Sequence, residues 1–141
     1  RDVIESACDD IAYIDTKHIT FEYSLQPTII QANMNLIYIV INNLLSNAVK
    51  YSNEGAKIYV SCGEKDGKSY IRIQDEGCGI EKENISKIFE SFYREKKDRN
   101  AEGFGLGLSQ AMKIAELYGG GIYVESTKNK GSIFTFFIPK P

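Results

Sequence analysis

The sequence predicts an α+β fold: a two-layer sandwich in which helices cover one face of a mixed, mostly antiparallel sheet. Two observations lead to this prediction. Several segments alternate apolar with polar residues, and two pairs of them are joined by short glycine-containing turns, which is typical of β-hairpins. Three longer segments carry apolar residues at helical spacing, so about three substantial helices and five to seven strands are expected.

Residues 2–14 begin the series of elements with apolar side chains at helical spacing, which predicts a first helix. Residues 19–25 alternate apolar with polar side chains, which indicates a half-buried strand that ends before Pro27. Residues 29–30 are a candidate short edge strand.

A long helix is predicted next. Either Asn33 or Asn35 is expected to cap its start, and it extends to about Ser52. One stripe of this helix is apolar and predicted to lie in the core. The stripe consists of Ile37, Ile41, Leu44 and Ala48.

The middle of the chain predicts a hairpin and a variable segment. Two alternating runs, 56–62 and 69–74, are joined by a charged turn with glycine, which indicates a β-hairpin. Apolar residues then recur at i, i+3, i+4 and i+7 over 85–92, so a short helix is expected there. Residues 94–107 have no apolar period and are predicted to form a mobile loop.

The last part of the chain predicts a helix followed by a hairpin. Residues 106–118 are helical in pattern and are followed by Gly119, Gly120 and Gly121, where glycine can supply a left-handed cap. Two strands, 122–126 and 132–138, are expected to be joined by the turn 128–131.

Length and composition indicate one ordinary domain over residues 1–141. Hydrophobic residues make up 43% and charged residues 26% of the chain, which excludes a disordered tail or a disulfide miniprotein. The net charge of −2 favours neither a nucleic acid nor an anionic membrane as a partner. The longest apolar run, 36–41, is far shorter than the roughly 20 residues of a membrane helix. Three widely spaced cysteines and one histidine argue against zinc and favour reduced thiols in the cytoplasm.

A polar edge on the long helix is the first candidate functional feature. Asn43, Asn47 and Lys50 project together, roughly 120° from the apolar stripe. A solvated face usually carries Glu and Lys, and asparagine is only a moderate helix former. Two asparagines in the middle of one helix therefore suggest that their side-chain carbonyl groups bind a ligand. Neutral oxygen ligands suit a magnesium ion held mainly by nucleotide phosphates, and Lys50 can meet phosphate as a point charge.

Two glycine-rich segments are weaker candidates when each is taken alone. Residues 75–80 (DEGCGI) directly follow a strand, and the Asp75 carboxylate can accept a hydrogen bond from an exocyclic amino group such as that of adenine. Taken alone, this segment is better explained by an ordinary Asp-Gly turn. Gly103, Gly105 and Gly107 lead into the last helix, whose N-terminus suits a phosphate.

Together, four segments in this order clearly resemble the catalytic and ATP-binding domain of sensor histidine kinases. These kinases belong to the wider group of Bergerat-fold ATPases that includes gyrase, Hsp90 and MutL. Residues 43–52 (NLLSNAVKYS) resemble the N box of the family and residues 75–80 its G1 box. Residues 89–94 (FESFYR) resemble the F box and residues 103–109 (GFGLGLS) the G2 box. The resemblance covers essentially the whole chain and implies the Bergerat fold.

The resemblance implies a role for each matching residue. Asn47 is the expected Mg²⁺ ligand, with Asn43 supporting the ion or its waters. Lys50 and Arg94 are expected to contact the phosphates. The glycines of the G2 box are expected to form the hinges of a lid over ATP and to cradle its phosphates; they are Gly103, Gly105 and Gly107.

The adenine end of the site is implied in the same way. Tyr51 is expected to pack against adenine and Asp75 to accept a hydrogen bond from its amino group, while Gly77 and Gly79 shape the pocket. The remaining residues expected to bind ATP are apolar. They are Ile80, Phe104, Leu106 and Leu108.

The implied function is the ATP-dependent half of a protein-histidine kinase. The domain is expected to bind Mg-ATP and to donate the γ-phosphate to a histidine on a dimerisation domain that is absent from this chain, as is the sensor region. The only histidine, His18, has no adjacent carboxylate, so no catalytic residue is expected here and the chain alone is not expected to phosphorylate itself.

The expected partners are that dimerisation domain and a cognate response regulator. The isolated domain is expected to be a monomer and the cytoplasmic part of a membrane-anchored kinase. Two alternatives remain open: a stand-alone anti-sigma-factor serine kinase of the same fold, and a non-catalytic ATP-binding interaction module.

Overall fold

Three helices and five strands form the part of the chain that the structure, a computed structural model, describes. The described residues are 2–14, 18–26, 28, 30–77, 79 and 106–140. The helices are α1 (Asp2–Ile14), α2 (Met34–Tyr51) and α3 (Leu106–Leu117). The strands are β1 (Thr20–Leu25), β2 (Lys57–Lys65), β3 (Lys68–Asp75), β4 (Gly121–Thr127) and β5 (Gly131–Pro139). The predicted helix at 85–92 and most of the predicted loop, 94–105, lie outside the described residues.

The five strands form one mixed sheet with the order β1-β2-β3-β5-β4. The β1–β2 pair is parallel and the other three pairs are antiparallel, so the sheet is mixed and mostly antiparallel, as predicted. Residue 30 lies outside any strand, so the sheet gains no strand there, and residue 29 lies outside the described residues. The β2–β3 hairpin is longer than predicted. Its strands continue to a two-residue turn, Asp66–Gly67, in which both φ angles are positive (53° and 75°), as the tightest hairpin turns require.

Local sequence explains where α2 begins and ends. Asn33 is the N-cap, and its side chain accepts hydrogen bonds from the backbone N–H groups of Asn35 and Leu36. This settles the choice between Asn33 and Asn35. At the other end, the Ser52 hydroxyl donates to the Ala48 carbonyl at 2.7 Å, which satisfies a carbonyl of the last turn. The end of α3 is also as predicted, because Gly119 adopts the left-handed conformation (φ 78°).

The core lies between the three helices and one face of the sheet. Helix α2 lies in the middle of the helical layer, with α1 and α3 on either side of it. The buried residues of α2 are those of the predicted stripe together with Val40 and Leu45. The inward positions of the sheet are mostly apolar and alternate with outward positions that are mostly polar or aromatic. The inward residues of the three central strands include Ile58, Val60, Ile71, Ile73, Phe134 and Phe136.

Two side-chain contacts fix the neighbours of α2. The Tyr38 hydroxyl donates to the Asp10 carboxylate and so joins α2 to α1. The Tyr118 hydroxyl accepts from the Asn33 backbone N–H at 3.0 Å and joins the start of α2 to the end of α3. Helices α2 and α3 therefore run antiparallel. None of the helices in the described ranges combines the length and apolarity that a membrane span requires.

The core stripe of α2 should dominate the stability of this layer. We expect Leu44→Ala to lower the free energy of unfolding by about 2–5 kcal/mol, since Leu44 is fully buried and the substitution leaves a cavity. The matched control is Leu117→Ala, because Leu117 is also helical but 68% exposed; its cost should be below about 0.5 kcal/mol. Urea unfolding of both variants measures the two values. Equal costs would contradict this account of the core.

Candidate functional site

Three of the four predicted segments lie together along the second half of α2. The last turn of α2 lies against the segment that follows β3: a Cβ on Gly77 would lie 2.0 Å from the Tyr51 carbonyl oxygen. The first turn of α3 lies against the middle of α2, where a Cβ on Gly107 would lie 3.5 Å from the Asn43 side chain. The structure thus brings together the matches to the N box, the G1 box and the end of the G2 box.

The polar edge of α2 lies at this meeting point. Asn43, Asn47 and Lys50 are half-buried, in contrast to the fully buried stripe on the other side of the helix. Among the residues that the structure describes, none donates to or accepts from the Asn47 carboxamide. Its oxygen can therefore ligate a cation without breaking a protein contact. The Lys50 Nζ lies 5.3 Å from the centroid of the Tyr51 ring. This cation–π contact keeps the positively charged ammonium group of Lys50 at the carboxyl end of the helix.

The Asp75 carboxylate is buried in the core-facing register of the sheet. It follows Ile71 and Ile73 on the inward face of β3 and is only 3% exposed. Its Oδ1 accepts a hydrogen bond from the Gly77 backbone N–H at 2.8 Å. Burial raises the pKa of Asp75, while the backbone N–H groups of Gly77 and Ser132 act in the opposite direction. No lysine or arginine of the described ranges forms an ion pair with it.

A buried carboxylate without a cation is costly for the ligand-free protein. Perturbed carboxylates of this kind are concentrated at functional sites, where the oxygen is kept for a ligand. Asp75 can accept a hydrogen bond from a ligand N–H in a place from which water is largely excluded. That is the geometry expected for recognition of an amino group.

Close backbone packing holds the segment that carries Asp75. A Cβ on Gly79, whose φ is 70°, would lie 2.1 Å from the Thr127 carbonyl oxygen, and one on Gly131 (φ 118°) would lie 2.1 Å from the Asp75 carbonyl oxygen. The segment after β3 is thus enclosed between the end of α2 and the β4–β5 turn. The expected contribution of Gly77 and Gly79 to an adenine pocket stays a prediction, since their described contacts are with the protein backbone.

Two residues of this enclosure were not among the predicted site residues. Gly131 belonged to a predicted turn and Ser132 to a predicted strand, and nothing local marked either as part of a site. They reach Asp75 because β5 pairs with β3 so that Ser132 lies opposite Asp75. The Ser132 hydroxyl lies 2.8 Å from that of Ser126 on β4. Only the pairing of distant strands places these groups at the site.

The first turn of α3 offers backbone groups to a ligand. Gly107 is helical, and a Cβ there would make only ordinary contact with Asn43, so packing does not require glycine at this position. Glycine in a helix is less stable than alanine, so the helix gains no stability from glycine at this position, and the space beside Asn43 stays open. The Leu108 side chain lies in the core, so its backbone is what remains for a ligand. No acidic residue lies in the first turn of α3, as suits an anion.

Six predicted site residues remain. Leu106 is the first residue of α3. The others lie outside the described residues. They are Ile80, Arg94, Gly103, Phe104 and Gly105.

Comparison with known proteins identifies the family. Residues 32–141 match the family described as histidine kinase-, DNA gyrase B- and HSP90-like ATPases, and the chain belongs to this family. The sensor histidine kinase WalK of Bacillus subtilis is 36% identical over 87% of this chain. The adaptive-response sensory kinase SasA of Rippkaea orientalis is 43% identical over 80% of it. The matches span only 21% and 29% of the length of these two relatives.

The similarity extends to three-dimensional structure. The catalytic domain of histidine kinase ThkA superimposes with a TM-score of 0.84 at 29% identity, over 99% of this chain and 92% of that one. This confirms both the predicted two-layer fold and the predicted resemblance to histidine-kinase catalytic domains.

The raised pKa of Asp75 predicts a specific pH dependence of stability. An acid whose folded-state pKa is raised favours folding below its unfolded-state pKa, near 3.8, and this contribution is lost as the pH rises through the folded-state pKa. On going from pH 4 to pH 7 without nucleotide, the wild type should therefore lose stability relative to Asp75→Asn. Urea unfolding at both pH values measures the difference. The control is Glu76→Gln, since Glu76 is an exposed neighbour; its stability should change with pH as that of the wild type does. If the stability of Asp75→Asn also changes as that of the wild type does, burial of the Asp75 carboxylate does not destabilise the protein at pH 7.

The space beside Gly107 can be tested by filling it. Gly107→Ala should raise the free energy of unfolding by up to about 1 kcal/mol, because alanine is the better helix former. It should weaken ATP binding, because the added methyl group occupies the space beside Asn43 and the helix N-terminus. Calorimetry with adenosine provides the control, since a ligand without phosphates should bind equally to both proteins. Equal loss of ATP and adenosine binding would show that the space receives neither the phosphates nor the metal ion bound to them.

Proposed function

We propose that this chain is the ATP-binding catalytic domain of a sensor histidine kinase, which binds Mg-ATP and presents its γ-phosphate to a histidine of a separate phosphoacceptor domain. The observation that carries the proposal is the meeting of the α2 polar edge, the buried Asp75 carboxylate and the start of α3 in one site. Membership of the ATPase family and sensor-kinase relatives support it.

The two ends of the site suit the two ends of ATP. At one end, the Asp75 carboxylate is positioned to accept a hydrogen bond from the amino group of adenine, with the Tyr51 ring at the adjacent end of α2. At the other end, Lys50 supplies a positive charge and the start of α3 supplies backbone N–H groups for phosphate oxygens. The protein thus contributes binding, orientation and charge neutralisation, which are the main requirements of phosphoryl transfer.

The donor set also suits a magnesium ion. The carboxamide oxygens of Asn47 and Asn43 are uncharged, as expected where phosphates already supply the negative ligands of the ion. The free carboxamide of Asn47 makes it the proposed ligand, with Asn43 in support. When bound, Mg²⁺ would neutralise charge that develops on the phosphates.

The proposed phosphoacceptor is not His18. This residue is exposed and precedes β1, with a φ of 57°, in the connection from α1. We propose that the acceptor histidine and the sensor region lie in other parts of the parent kinase, anchored to the membrane with this domain on the cytoplasmic side. A response regulator would then receive the phosphoryl group. The sensor-kinase relatives do not favour a serine kinase of the anti-sigma-factor type.

Nucleotide binding is tested by calorimetry with Mg-ATP on three proteins. The wild type should bind, and Asp75→Asn should bind roughly 5- to 150-fold more weakly, since an amide N–H₂ replaces part of a buried acceptor at a cost on the order of 1–3 kcal/mol. The matched control is again Glu76→Gln, which should keep wild-type affinity. Wild-type affinity in the Asp75 variant would remove the adenine assignment.

Phosphoryl transfer is tested with γ-labelled ATP and the separately produced phosphoacceptor domain of the parent kinase. Acid-labile label should appear on that domain only when this chain is added, because positioning accounts for most of the rate. Label on this chain alone would overturn the proposal. Acid-stable label on a serine of an added protein would instead support the anti-sigma-factor alternative.

A further inference from the structure

One hydrogen bond in the site joins α2 directly to α3. The Asn43 Nδ2 donates to the Gln110 Oε1 at 3.2 Å, across 67 positions of sequence. Gly107, one turn before Gln110, lies beside the same carboxamide: a Cβ there would be 3.5 Å from both the Asn43 Cγ and Oδ1. The second turn of α3 therefore binds the Asn43 side chain at its nitrogen, while the first turn leaves room beside its oxygen, where Gly107 has no side chain.

The chemistry of the two groups at the Asn43 carboxamide differs. A carboxamide presents N–H donors at one end and an acceptor oxygen at the other. Since Gln110 engages the donor end, the oxygen is the end that faces the space beside Gly107. An acceptor oxygen suits a metal ion or its bound water, whereas a phosphate oxygen would require the donor end.

We infer that Gln110 is a positioning residue, which fixes the Asn43 carboxamide so that its oxygen, and not its N–H₂ group, faces the bound metal and its water shell. This rests on the proposed binding of Mg-nucleotide and adds to it a residue outside the predicted site. Without Gln110, the carboxamide can rotate and present its donor end, which lowers the affinity for Mg²⁺ in the nucleotide complex. The nucleotide itself, bound through Asp75 and the start of α3, is unaffected.

The test is the Mg²⁺ concentration that gives half-maximal binding of a fluorescent ADP analogue. Gln110→Met keeps a similar side-chain shape and removes the acceptor. It should raise this concentration about 3- to 10-fold, the range for loss of one neutral hydrogen bond. Binding of the analogue in excess EDTA should match that of the wild type. A residue that acted only on the fold would change both quantities together.

Three further variants make the result decisive. Lys113→Met is the control, because Lys113 is also exposed on α3 and lies one turn further along; it should leave the Mg²⁺ requirement unchanged. Asn43→Ala and the Asn43→Ala, Gln110→Met double variant should require equal Mg²⁺ concentrations, because Gln110 acts only through Asn43.

The outcomes separate this inference from the proposed function. If the wild type binds no ADP analogue at any Mg²⁺ concentration, the proposed function fails. If the wild type binds with a Mg²⁺ requirement that Gln110→Met leaves unchanged, or if the two substitutions are additive, only the role of Gln110 is overturned.

Discussion

The site depends on close packing of backbone around the end of β3. Gly77 lies against the Tyr51 carbonyl, Gly79 against the Thr127 carbonyl and Gly131 against the Asp75 carbonyl. At each of these contacts a side chain would collide with backbone atoms, which cannot move aside as a flexible side chain can. The carboxylate of Asp75 is consequently held in a fixed position, at the boundary between the core and the end of α2.

The same packing explains how a core-facing carboxylate is tolerated. Asp75 occupies the register position that an apolar residue would take after Ile71 and Ile73. Two backbone N–H groups, from Gly77 and Ser132, compensate only partly for its burial, since its pKa remains raised. The protein thus retains a destabilising group in its core, and a ligand that donates a hydrogen bond to it, as proposed above, would offset that cost, since recognition sites commonly conflict with stability.

Helix α2 connects the core to the site because its two faces perform different tasks. The Leu44 side of the helix is fully buried, while Asn43, Asn47 and Lys50 lie half-buried along the other side. The orientation of the polar edge is therefore fixed by the packing of the apolar stripe. Antiparallel contact with α3 then places Gln110 and the N-terminus of α3 beside Asn43. A single rigid element in this way carries three polar groups at constant spacing.

Local pattern in the sequence determined most of the elements, the apolar stripe of α2, the cap at Asn33 or Asn35 and the polar edge with Asn43 and Asn47, because periodicity and capping act over a few residues. Asp75 became a predicted site residue only through the resemblance of four segments to the histidine-kinase family. The Asp66–Gly67 turn was located only approximately, since strand length depends on pairing with the neighbouring strand.

The contacts of Ser132, Gly131 and Gln110 were decided by the tertiary structure alone. Each of these residues lies far along the chain from the group it contacts, and the register of β3 with β5 and the packing of α2 on α3 are what bring them together. Such long-range contacts leave no periodic signal in a single sequence, because the partner of each residue is set by the whole core and not by its neighbours in the chain.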